Sequence, residues 1–318
     1  MNILTITLNA AIDATYVVAR FEPSATNRVI RKHLMPGGKG NNVARILAAR
    51  GHSVVASGFL SGTSGAFIED GLRQEGIEPR FVWLESGESR TCHTVLDQDT
   101  GEATEILEAG PAVSEGDCER LLELVTGLAT SATVAVISGS APPGATPEFL
   151  ERLANVVRAG SSRMVVDSSG QSLVSLLAGR PDMIKPNESE LQALMGRPGT
   201  LAEHVAFAQE DLIVQRLAPG GQVVISLGNA GATLVSRSGV LRAIAPRVGA
   251  LNTVGCGDSL LAGFLDGWAS GLDDTESLRQ AVAFGTAAAL QEVAGVVGLR
   301  DVEEMRSGID VVEYVKSP

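Results

Sequence analysis

The sequence predicts an α/β protein: a doubly wound, mainly parallel sheet with a small β lid. Three observations carry that prediction. Short runs of Val, Ile and Leu alternate with amphipathic stretches through most of the 318 residues, the pattern of parallel strands joined by right-handed helical crossovers. Two glycine-rich segments, 37–40 and 255–257, each precede a stretch with helical periodicity. Residues 15–36 and 80–111 break the alternation with short strand-like runs and turn residues, as a separate small sheet would. The predicted division is an α/β body of 1–14, 37–79 and 112–318, with a lid of 15–36 and 80–111.

Residues 3–8 (ILTITL) are a β-rich run that leads to Asp13. Open α/β sheets hold their ligands past the carboxyl ends of strands, although a turn aspartate reads equally well there. Short strands are predicted at 16–18 and 28–30. The segment PGGKGNNVARIL (36–47) opens a helix with Val43, Ile46, Leu47 and Arg50 on one face and Gly51 just beyond it. A strand at 54–59 and a helix at 64–76 follow. The runs 81–84, 91–96 and 104–107 are the strands of the lid. The alternation resumes with helix 115–128, strand 134–137, helix 147–158, strand 164–167 and helix 171–178. Strand 223–227 ends in GNAG and returns at 232–235.

Composition narrows the function. Hydrophobic residues make up 44% and charged residues 19%, which describes a chain with a sizeable core. The formal charge is −12, with no lysine- or arginine-rich run, so no nucleic acid partner is expected. No apolar run approaches the roughly 18 residues of a membrane span, and the N-terminus lacks the pattern of a signal peptide. Cys92, Cys118 and Cys256 are too few for a disulfide framework or zinc cluster. These features fit a cytoplasmic location. HExxH, GxSxG and CxxC are absent, and the glycines at 255 and 257 lack the third of a dinucleotide fingerprint.

The chemistry centres on NTVGCGDS (252–259), followed by apolar residues at 260, 261, 264, 265 and 268 that form one helical face. The first N–H groups of a helix have no internal partner, and with the helix dipole they favour an anion. Gly255 and Gly257 let a ligand approach the backbone. Asp258 would face that ligand as a base, or would serve as a helix N-cap. The ionising field of the helix end is expected to keep it charged. Gly38-Lys39-Gly40 opens a second helix but is not a P-loop, because no glycine stands five residues before Gly38. Asn187 and Glu190 are one helical turn apart and suit water-mediated contacts to magnesium, or a capping box. In a doubly wound sheet, all these clusters fall on one edge.

At these positions the chain resembles the ribokinase or PfkB family of sugar kinases. GGKGNNVA (37–44) and NTVGCGDS (252–259) are similar to its two signatures, KPNESE (185–190) to its N-x-x-E motif, and SLGNAG (226–231) to its nucleotide-binding strand end. TLNAAID (7–13), TNRV (26–29), TEILEAGP (104–111) and SGSAPPG (138–144) resemble the phosphosugar branch of 1-phosphofructokinases and tagatose-6-phosphate kinases. The resemblance implies a ribokinase-like fold and transfer of the γ-phosphoryl group of ATP, with Mg²⁺, to a phosphorylated ketohexose. It implies Asp258 as base, and an anion hole from Gly255, Cys256 and Gly257. Asp13, Gly38, Lys39 and Asn42 would contact the sugar, and Arg28, Arg90 and Ser138 its phosphate. Lys185, Asn187, Ser226, Gly228 and Gly231 would bind the nucleotide, and Glu190 and Asn187 the metal through water. A homodimer through the lid is also implied. Ala10, Asn252, Cys256 and Leu107 depart from the residues usual in the family, and His93 is unusual in a lid strand facing a sugar. An unphosphorylated sugar or nucleoside as acceptor, or a catalytically silent sugar-phosphate sensor, are the alternative readings.

Overall fold

The computed structural model describes residues 1–314; the last four residues of the predicted body, 315–318, lie outside them. The order of elements begins β1 (Asn2–Thr7), β2 (Ala11–Val18), β3 (Val29–Gly37), α1 (Lys39–Ala49), β4 (Ser53–Leu60), α2 (Gly62–Gln74) and β5 (Glu78–Trp83). It continues with β6 (Arg90–Asp97), β7 (Ala103–Leu107), α3 (Glu115–Ala129), β8 (Val134–Ser138), α4 (Pro147–Gly160), β9 (Arg163–Asp167) and α5 (Gly170–Leu176). Next come β10 (Met183–Ile184), α6 (Glu188–Met195), α7 (Leu201–Phe207), β11 (Gln222–Ser226), β12 (Ala232–Val235) and β13 (Val240–Ile244). The last are α8 (Cys256–Ala269), α9 (Asp274–Ala289), α10 (Leu299–Ser307) and β14 (Asp310–Glu313).

The main sheet has ten strands in the order β14-β13-β12-β11-β10-β9-β8-β1-β4-β5. From β11 to β5 all neighbours are parallel, while β12, β13 and β14 add antiparallel strands at one edge. Strand residues alternate between two apolar layers, because successive side chains leave a strand on opposite faces. Leu4, Ile6, Ala135, Ile137, Val223 and Ile225 enter one layer, with Leu121 of α3 and Leu153 of α4. Ile3, Val134, Val136 and Val224 enter the other, with Ile46 of α1, Phe264 of α8 and Phe284 of α9. Helices therefore cover both faces, and the predicted doubly wound, mainly parallel architecture is the one observed.

The lid is a four-stranded sheet in the order β3-β2-β6-β7. It differs from the sequence reading in two ways. The run at 81–84 belongs with β5, which pairs parallel to β4 at the edge of the main sheet and is no part of the lid. Asp13 sits in no turn: β2 begins at Ala11, and Asp13 pairs with Met35 of β3 and Cys92 of β6. Four residues after β1, the chain has already changed sheets. Arg31 and His33 of β3 both meet the carboxylate of Glu292, which ties the lid to the body.

Candidate active site

One cleft of about 1230 Å³ runs between the lid and the carboxyl edge of the main sheet. Its floor is the start of α8. Gly255 is the N-cap, with φ +79°, and a Cβ there would lie 2.8 Å from the Gly295 nitrogen. Only glycine fits this left-handed, crowded position. The backbone N–H groups of Gly255, Gly257 and Asp258 donate to no protein acceptor among the described residues, whereas Cys256 N–H points to the Thr253 carbonyl at 3.4 Å. Of the three N–H groups expected to form an anion hole, those of Gly255 and Gly257 are free and that of Cys256 meets Thr253, while the N–H of Asp258 is free as well. Asp258 is the third residue of the helix and does not cap it.

The other glycine loop is shaped by close approach. A Cβ on Gly37 would fall inside the Asp13 carboxyl group, and one on Gly40 would lie 2.3 Å from Thr7 Oγ1. From the start of α1, Asn42 reaches across to Asp258. Asn42 Nδ2 donates to Asp258 Oδ2 at 3.0 Å and reaches Asp13 Oδ2 at 3.5 Å. Lys39 Nζ is 3.5 Å from Asp167 Oδ1 and 3.8 Å from Glu190 Oε1. Lys185 Nζ, buried, is 3.3 Å from the same Asp167 oxygen. A Cβ on Gly257 would lie 3.4 Å from that Nζ, so the ammonium stands at the head of α8.

Burial sets the electrostatics. It raises the Asp258 carboxyl to about 7, against the lowering effect of Lys39, the Asn42 hydrogen bond and Lys185; Asp167 raises it further. Against the expectation that the helix end keeps this group ionised, burial favours its protonated form. Asp13 is also raised by burial, opposed by Arg45, Asn42, the Gly38 backbone and Arg90. Lys39 is raised, above all by Asp167, and stays charged. The Cys256 thiol is pushed up to about 12 by burial and the neighbouring Asp258, so it is no nucleophile despite its helix-end position.

Along the cleft, Asp13, Gly38, Lys39, Asn42 and Arg90 line the lid end with Gly255, Cys256, Gly257 and Asp258 below them. Asn187, Ser226, Gly228 and Gly231 also line the cleft, with Lys185 at the head of α8. Three predicted residues do not line it. Arg28 is exposed in the loop ahead of β3. Ser138 is buried, with its Oγ unpartnered, and its neighbours Gly139 and Ser140 form the wall instead. Glu190 stands behind the lining, where it and Asn187 form a capping box at the start of α6. His93 does not face the cleft: Cys92 does, while His93 stacks on Tyr16.

Asp167 was missed. It ends β9, so the rule that led to Asp13 would have found it. Its Oδ2 is buried with no hydrogen-bond partner. Arg45 was also missed, because it reads as an ordinary polar position on an amphipathic helix. The rim at Ile244–Ala245 and 246–250 lies in a stretch for which the sequence reading predicted no element.

The fold recurs in solved structures. A ribokinase-like protein from Agrobacterium tumefaciens superposes with a TM-score of 0.76 at 16% identity, over 96% of this chain and 97% of that one, which shows a shared fold. This is a kinase fold of the ribokinase type, with its cleft at the sheet's carboxyl edge. The profile of the pfkB family carbohydrate kinases matches residues 6–297, and the chain belongs to that family. It is similar to tagatose-6-phosphate kinase of Staphylococcus epidermidis, 33% identical over 98% of this chain and 99% of the relative. It is also similar to phosphofructokinase-2 of Escherichia coli in complex with substrates and products, with TM-score 0.88 and 30% identity over 97% of this chain and 99% of that one. The protein is a phosphotransferase with an alcohol acceptor.

Proposed function

We propose that the protein transfers the γ-phosphoryl group of ATP to a hydroxyl of a ketohexose 6-phosphate, with tagatose 6-phosphate as the first candidate. The observation that carries this reading is Asp258, a buried carboxylate beside unpaired N–H groups at a helix start, held by Asn42 under a lid. The names of the two relatives, a tagatose-6-phosphate kinase and a phosphofructokinase, support a phosphorylated acceptor. Arg90 supports it too. Its Nε donates to the Asn9 carbonyl and its Nη1 to the Glu108 carbonyl, which leaves Nη2 for an anion in the cleft.

In this reading Asp258 accepts the proton of the attacking hydroxyl. The free N–H groups at 255, 257 and 258 stabilise charge on the migrating phosphoryl oxygens. Lys39 and Lys185 add positive charge beside them. Such positioned donors supply most of the acceleration in phosphoryl transfer. Asp13 and Asn42 orient the sugar. Ser226, Gly228 and Gly231 border the nucleotide, with Asn187 and Lys185 nearby.

A magnesium ion, which keeps several waters, would be reached through water by Asn187 on the cleft wall and by the Glu190 carboxylate behind it. When bound, it would neutralise charge on the phosphate chain of the donor. The lid carries Val29, Ile30, Leu34 and Ile106 exposed; burying these apolar groups in a second lid supports a homodimer.

Turnover of ATP with tagatose 6-phosphate, fructose 6-phosphate and fructose 1-phosphate, followed side by side as ADP release, tests the reading. Highest kcat/KM with a 6-phosphate is the expected result. Preference for fructose 1-phosphate, or no turnover with any of the three, rejects it.

A further inference from the structure

Arg45 follows Asn42 by one helical turn on α1, is 8% exposed, and does not line the cleft. Its guanidinium spans three segments. Nε donates to Glu75 Oε1 at 2.8 Å, at the end of α2. Nη1 donates to Asn42 Oδ1 at 2.9 Å, and Nη2 donates to the Pro36 carbonyl in β3 of the lid. A side-chain amide has one accepting and one donating end. With Oδ1 held by Arg45, Nδ2 must turn the other way, where it meets Asp258 and Asp13. The space is closed behind this pair. A Cβ on Gly295 would lie 2.5 Å from Asn42 Oδ1 and 2.7 Å from Arg45 Nη1.

We propose that Arg45, anchored by Glu75, is a positioning residue for phosphoryl transfer, which fixes the amide of Asn42 so that it donates to Asp258 of the body and Asp13 of the lid together. The inference rests on the kinase reading above. Without the guanidinium the amide can turn over at almost no steric cost and set its oxygen against the base. The carboxylate then loses a donor and gains a repulsive neighbour. Arginine is suited to this role because its planar fork reaches three acceptors with fixed angles; a lysine ammonium is a single point of charge. The other charged groups that face Asp258 are Lys39 of α1, Asp167 of β9 and Lys185 after β10, and Asp13 also faces Arg90 of β6. The substitutions below leave all of these in place.

The test reads the base itself. In enzyme labelled with ¹³C at the aspartate carboxyls, the Asp258 resonance is assigned by its loss in Asp258→Asn and titrated without ligands. In parallel, kcat is followed against pH. Arg45→Met should move the Asp258 titration and the acid limb of kcat upward by about one pH unit, the scale of one lost hydrogen bond to a charged group. Glu75→Met, which removes the acceptor at the end of α2, should move both in the same direction. Arg45→Lys should behave as Arg45→Met, and Arg45→Met added to Asn42→Ser should move the titration no further than Asn42→Ser alone. The proposal is overturned by a uniform loss of kcat with an unmoved titration, by full rescue with lysine, or by additive shifts in the double variant. Should Arg45→Met fail to fold, Glu75→Met decides alone. The titration needs no acceptor, so it separates failure of this inference from failure of the kinase reading, which shows instead as absent wild-type turnover.

Discussion

Asn42 and Asp258, 216 residues apart in the chain, are joined by a 3.0 Å hydrogen bond that ties the two glycine loops together. Replacing the carboxylate by an amide keeps its size and removes its basicity. Asp258→Asn should therefore lower kcat by about 10²–10⁴-fold, the usual contribution of a general base, with little change in either KM. Steady-state kinetics check this. A kcat near the wild-type value would remove Asp258 from the proton-transfer step.

The pH profile follows from burial of the same group. Asp258 titrates at about 7, and only its ionised form accepts a proton. Turnover should be constant above that pH and fall about tenfold for each unit below it. An acid limb centred near the ordinary aspartate range would show that the carboxyl is solvated in the working enzyme.

Stability should respond with the opposite sign. The folded-state value is raised from 3.8 to about 7, so the protonated form is favoured by folding. That contribution is fully present below the unfolded value and is lost as pH rises through 7. Asp258→Asn removes the cost of ionisation. Its Tm should exceed that of the wild type at pH 8, and the gain should vanish by pH 4. Thermal unfolding at the two pH values distinguishes this from an ordinary local perturbation, which would shift Tm equally at both.

Arg90 stands in the cleft with one nitrogen uncommitted. Arg90→Ala should raise KM for the phosphorylated sugar by one to two orders of magnitude, on the scale of a lost charge-assisted hydrogen bond. KM for ATP should stay unchanged. Equal effects on both substrates would mean that Arg90 only braces the two loops that carry Asn9 and Glu108.

The lid's exposed apolar side chains make a prediction about assembly. Leu34→Glu combined with Ile106→Glu should yield monomers in light scattering, because like charges at a buried interface are costly. A doubly substituted protein with unchanged mass would place any dimer contact elsewhere.

Much of this was legible before any coordinates, and the reason is periodicity. The strand runs at 3–8, 54–59, 134–137 and 223–227 are β-branched and apolar on both faces, as strands covered by helices must be, and each was found within a residue or two. The site was legible where it depends on backbone shape, because glycines at 38, 255 and 257 are written openly in the chain. Side-chain partnerships were not. Nothing about the spacing of Asp167, Lys39 and Lys185 announces that they meet, since contact among β9, α1 and β10 is set by the order of strands. The allocation of Asp13 to the lid escaped for a related reason: a three-residue gap between strands reads as a turn within one sheet.

The division of the cleft between two sheets has a practical result. In the proposed reading the acceptor is framed by Asp13, Arg90 and Cys92 on the four-stranded sheet, and the donor by loops around β11, β12 and β13 of the ten-stranded one. Few covalent crossings join the two pieces. Exchanging the smaller sheet between relatives is thus a rational way to retarget the enzyme toward another sugar while its use of ATP is left intact.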